Sequence, residues 1–128
     1  MGQQQLLLIV LGVIIVGIAI VVGINLFSAS SLEANRDAVV ADNMNLAALA
    51  QQFYKKPTEL GGGANTFTGF TIPTNLASTA NGTYAAVVAA QSVVITGTGL
   101  VLDANSKKYK AVTTVTPTGI STAVPTLQ

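Results

Sequence analysis

At 128 residues the chain is long enough for one domain with a modest core and too short for two. Only 9% of its residues are charged, the net charge is +1, and His, Cys and Trp are absent. This composition removes most catalytic and metal-ligand side chains, any disulfide staple, and the clustered charge that steers a protein toward nucleic acid. The chain is therefore expected not to be an enzyme, to need no cofactor or metal, and to bind no nucleic acid.

Residues 6–24 are apolar or Gly throughout, with no charge and no Pro, close to the ~20 residues a bilayer-spanning helix requires. A secretory signal peptide would open on a basic stretch, yet residues 1–5 hold no Lys or Arg. Either such a stretch has been removed or it never existed.

Residues 32–56 turn polar but keep helical periodicity. Leu32, Val39, Leu46 and Phe53 recur at sevens, with Leu49 and Ala50 between them, a stripe suited to packing on a sheet. On roughly the opposite side Ala34, Ala41 and Ala48 also recur at sevens, small enough for another helix to approach closely. Pro57 ends the segment, and Lys55 and Lys56 suit a helix C-terminus. Ser30 and Glu33 match a capping box that would start a second helix, and a single helix running through residues 28–31 is the alternative.

Every Thr of the chain lies beyond Pro57, so composition switches there from helix formers to strand formers. Gly61, Gly62 and Gly63 read as a flexible linker. Strands are expected over residues 83–89, 92–98 and 109–116, and more weakly over 66–72, separated by Asn-Gly and Asp-Ala-Asn-Ser turn signals. Tyr84, Val87, Val94, Leu100, Tyr109, Val112 and Val115 are the candidates for the apolar face, although the Ala-rich run at 85–90 leaves the register open. The expected fold is α+β: a long N-terminal helix, apolar in its first half (1–27) and amphipathic in its second (28–56), with a small antiparallel sheet (57–128) packed on it. About seventy residues of sheet without disulfides need core from the stripe of Leu32, Val39, Leu46, Leu49 and Phe53.

The run MGQQQLLLIVLGVIIVGIAIVVGINL, followed by an amphipathic helix and a Thr-rich sheet, resembles mature type IV pilins. The resemblance implies a structural subunit of an extracellular filament that serves adhesion, motility or uptake. It implies removal of a basic leader by a prepilin peptidase, methylation of the new N-terminus at Met1, and anchorage in the cytoplasmic membrane before assembly. Its implied partners are identical subunits in a helical homopolymer, the bilayer before assembly, and an inner-membrane platform driven by an ATPase. Leu6, Val10, Ile14, Gly17 and Val21 would pack the filament core.

In the family a Glu usually neutralises the neighbouring subunit's terminal amine at the place where this chain has Gln5, so registration would fall to Met1, Gln3, Gln4 and Gln5. Cleavage after Gly2 is the alternative frame, with Gln3 as the start and Leu7 at the acidic place. Bacterial members often carry a Pro late in the apolar segment and some a C-terminal disulfide; this chain has neither, and Gly12, Gly17 and Gly23 are its candidate weak points. Two further readings remain open: a pseudopilin of a type II secretion system, and a single-span membrane protein whose small outer domain binds a ligand.

Other motifs are weaker. Asp103, Asn105 and Ser106 resemble the start of a calcium loop without its Gly and distant Glu, and read better as a turn. Lys107, Lys108 and Lys110 suit a solubilised edge. Asn81-Gly82-Thr83 fits a glycosylation acceptor at Asn81, and equally a hairpin turn. Phe27, Phe53 and Tyr54 are expected to serve packing.

Overall fold

A computed structural model describes residues 2–128. Its elements in chain order are helix α1 (Gly2–Lys55), a 3₁₀ turn (Thr58–Leu60), the short helix α2 (Thr74–Ala77), and strands β1 (Gly82–Val88), β2 (Val93–Leu102), β3 (Lys108–Val115), β4 (Ile120–Thr122) and β5 (Thr126–Leu127). The fold is α+β, as expected. Residues 28–31 are helical, so the capping-box break does not occur. The chain divides into two compact units between Ser31 and Leu32.

In the second unit the strands run in the order β1-β2-β3-β4, all antiparallel, and β5 also pairs with β3. Residues of α1 from Asn35 onward bury one stripe on this sheet: Asn35, Val39, Asn43, Leu46, Ala47 and Ala50. With Phe67, Phe70, Tyr84, Val93, Ile95, Ala111 and Val115 they form the core. Val39 and Leu46 sit at its centre and Leu49 and Phe53 pack at its margin, whereas Leu32 is half-buried and is not among the residues packed on the core.

The sheet accepts the helix because β2 presents Val93, Ile95, Gly97 and Gly99 toward it, alternating with half-buried residues on the other face. A Cβ on Gly97 would lie 2.6 Å from Asn43 Oδ1, 2.8 Å from Val39 Cγ1 and 2.9 Å from the Tyr84 ring. Gly99 leaves similar room for Asn35. This close approach corrects the expected apolar face. Tyr84 and Val115 are buried and Tyr109 is half-buried beneath the Arg36 guanidinium, 5.7 Å from its ring centroid. Val94 and Val112, however, alternate onto the far face, Val87 is 72% exposed, and Leu100 is exposed. In the run Val93-Val94-Ile95 either register is equally apolar, and the glycines decide it.

Residues 66–72 form no strand; Phe67 and Phe70 drop from an irregular segment into the core, where Phe70 meets Phe53 edge-on at 5.7 Å. The expected linker is also corrected. The backbone N–H groups of Gly63, Asn65 and Ala64 donate to the carbonyls of Phe53, Tyr54 and Lys56, satisfying groups a helix end otherwise leaves open. Gly61 adopts φ +84, and Gly62 and Gly63 lie where a Cβ would collide with Lys56 and Thr66, so this loop is a fitted cap.

Candidate functional site: an uncovered apolar helix

The first unit has no core of its own. Residues 2–30 are helical and all exposed, including fifteen large aliphatic side chains from Leu6 to Ile24, which range from Leu7 at 70% to Val22 at 50%. An isolated helix of this composition satisfies its backbone internally but leaves an apolar surface on every side, which water disfavours by roughly 25 cal/mol per Å2. Such a surface marks contact with lipid or protein. Among the described residues α1 is the one helix long and apolar enough to cross a membrane.

Leu6, Val10, Ile14, Gly17 and Val21 follow one another at intervals of four, four, three and four, which places them in one row; each is exposed, and an added Cβ on Gly17 would meet nothing. Gln3, Gln4 and Gln5 occupy the exposed first turns, and Met1 lies outside the described residues. Phe27 is 76% exposed, so its packing expectation finds no partner among the described residues, whereas Phe53 and Tyr54 both reach the core, Tyr54 lying 4.8 Å from Phe67 between ring centroids.

In the second unit Ala34, Ala41 and Ala48 are exposed, on the side of α1 that does not touch the sheet. The buried stripe contains two residues that the apolar pattern did not mark. Asn35 donates from Nδ2 to the Asn81 carbonyl at 2.7 Å and accepts from the Val101 N–H at 3.4 Å; Asn43 donates to the Ala111 carbonyl at 3.1 Å. Their signal in the sequence was their spacing, four on either side of Val39, which continues the stripe in polar form.

Beside them, Asp42 accepts from Tyr84 Oη at 2.5 Å, Asn81 Nδ2 at 3.1 Å and the Thr79 hydroxyl at 3.4 Å. Burial, and after it the bond to Asp42, pushes the Tyr84 hydroxyl above the ordinary tyrosine range. The Asn81 nitrogen that a sugar would occupy is thus engaged with Asp42, and Asn81-Gly82-Thr83 leads from a tight turn into β1. Asp103 accepts from the N–H groups of Asn105 and Lys107 at 2.9 and 2.7 Å, which is a side-chain-capped turn with Ser106 at φ 60. No group of three or more acidic residues suited to a metal occurs among the described residues.

A long apolar N-terminal helix followed by an antiparallel sheet is a layout consistent with a pilin-like fold. In comparisons by sequence and by structure, no protein-family model, curated protein or solved structure matches this chain.

Proposed function

We propose that the chain is the structural subunit of an extracellular helical filament of the type IV pilus kind. The observation that carries the reading is the continuous uncovered apolar surface of residues 6–24, joined in one helix to a stripe that organises a small sheet domain. Before assembly, that surface sits in lipid, where a helix leaves no backbone group unpaired. On assembly it exchanges lipid for the same segment of other subunits. Lipid and neighbouring helices are similarly apolar, so the exchange gains little hydrophobic energy and depends on close packing and on an external motor. Head-to-tail contacts between identical subunits do not close on themselves, and an open filament results.

The sheet edges favour this route over strand-to-strand growth. The C-terminal edge is interrupted between β4 and β5 by Ala123, Val124 and Pro125, and Pro cannot donate to an added strand. The edge of β1 is closed at both ends by its own chain, where Thr79 donates to Gly82 and Phe67 donates to Ala90.

Leu6→Asp, Val10→Asp and Ile14→Asp in one variant test the proposal. An Asp costs roughly 2.5–3.5 kcal/mol at the centre of a bilayer-spanning helix and less toward its ends, where Leu6 lies, and three in one row would also bury like charges together in a filament core. Filaments are expected to disappear from electron micrographs; filaments of normal abundance would refute the proposal. A single-span receptor predicts instead that the unaltered chain remains wholly with membranes.

A further inference from the structure

The side of α1 turned away from the sheet carries Ala34, Ala41 and Ala48, with Glu33 and Asp37 at one end and Lys55 at the other, all exposed. The spacing of seven that relates the three alanines continues through exposed residues of the apolar segment as Val13, Ile20 and Phe27. Each of these bulky residues lies 21 positions before one of the alanines, and Ala34 lies 21 positions before Lys55.

We infer that this face is the seat for a second copy of the same helix, parallel and displaced by 21 residues, so that Val13, Ile20 and Phe27 of one copy lie on Ala34, Ala41 and Ala48 of the next. The inference rests on the filament reading and assigns the register of its subunit contact. Residues at intervals of seven on parallel helices meet in successive layers, each side chain entering a hole between four residues of its neighbour. At this displacement the large side chains of one copy always face the small ones of the other, which brings the backbones close without a void.

Charge complementarity selects the same register. The hole that receives Lys55 is formed by Ser30, Glu33, Ala34 and Asp37 of the neighbouring copy, which places one ammonium between two carboxylates. Within its own chain Lys55 forms no ion pair among the described residues, and neither does Glu33; Asp37 meets only the adjacent Arg36, at 3.3 Å. A displacement of 21 residues is about 32 Å at the usual rise of ~1.5 Å per residue, the length of helix from Ala34 to Lys55 in a single copy. The contact uses different surfaces on the two copies, so it repeats without closing.

An antiparallel pair would place Ala41 opposite Ala48 and Glu33 near Lys56, and would close as a dimer. Disulfide mapping separates the two arrangements, and because the chain has no Cys each introduced thiol is unambiguous. Filaments bearing Ile20→Cys with Ala41→Cys are oxidised and run on a non-reducing gel, beside filaments bearing Ala41→Cys with Ala48→Cys. The first variant is expected to give a ladder of multimers and the second monomer only. Filaments visible by electron microscopy with no ladder from the first variant, or with dimers from the second, would overturn the register and leave the filament reading standing. An unaltered chain that forms no filaments would overturn both.

A charge reversal decides the matter if the cysteines block assembly. Lys55→Glu is expected to lose most of the sedimentable filament, and adding Glu33→Lys with Asp37→Lys to recover it; a triple variant no better than Lys55→Glu would overturn the register.

Discussion

Replacing Gly97 by Ala tests how the sheet domain is held to its helix. The new methyl carbon would stand 2.6 Å from Asn43 Oδ1, 2.8 Å from Val39 Cγ1 and 2.9 Å from the Tyr84 ring, where ordinary contact begins at 3.4 Å. Asn43 and Val39 are fully buried and Tyr84 nearly so, which leaves no flexible end to swing aside. The helix must retreat locally by about 0.8 Å, enough to forfeit a quarter to a half of the dispersion energy across that contact. Overpacking of this kind costs about 1–3 kcal/mol. For a domain of this size each 1 kcal/mol lowers Tm by roughly 4–8 °C. The assay is thermal unfolding of the full chain in detergent, followed by near-ultraviolet circular dichroism, to which Tyr84 contributes directly beside the new methyl. Gly17→Ala is the control, since an added Cβ there meets nothing and a helix interior prefers Ala by up to ~1 kcal/mol. A Gly97→Ala variant that melts with the unaltered chain would refute the close-approach argument.

The remaining predictions concern the same domain. Phe67→Ala removes a fully buried ring and should cost about 3–5 kcal/mol by urea titration, although Phe67 lies outside every regular element. Ala64 adopts φ 50 in the helix cap, so Ala64→Gly should raise stability by up to about 1 kcal/mol in the same titration. Tyr84 has its hydroxyl raised above the ordinary range, so the neutral form is the one the fold favours. The stability it contributes is fully present below about pH 10, the unfolded value, and is lost as pH rises from there toward the folded value. Unfolding measured from pH 8 to 12 should show that loss, and Tyr84→Phe should remove its share of it; an unchanged alkaline slope would contradict the upward shift given to the buried Tyr84 hydroxyl.

The long helix and its two faces were legible in the sequence because the apolar run and the spacing of seven are local patterns. Three of the four expected strands were found near their expected limits, since Asn81-Gly82 and residues 103–106 are strong turn signals. What escaped depended on contacts distant in sequence. Phe67 and Phe70 sit in a Thr-rich stretch with strand composition, and it is held as an irregular segment by the bonds from the Phe67 N–H to the Ala90 carbonyl and from the Phe70 N–H to the Phe67 carbonyl. The inward face of β2 is not legible from its valines, which favour neither register, because the deciding residues, Gly97 and Gly99, carry no side chain to register as apolar. Asn35 and Asn43 look solvated by composition, yet the backbone carbonyls of Asn81 and Ala111 make them core residues. The uncovered apolar surface is readable directly, because it is a property of residues 6–24 alone.

The central claim, that this surface is the core of a filament, is tested most directly by shearing cells that produce the chain and separating the sheared material from the membranes. The chain is expected in both fractions, with filaments in the sheared one by electron microscopy. A chain confined to the membrane fraction, with none in the sheared material, would contradict it.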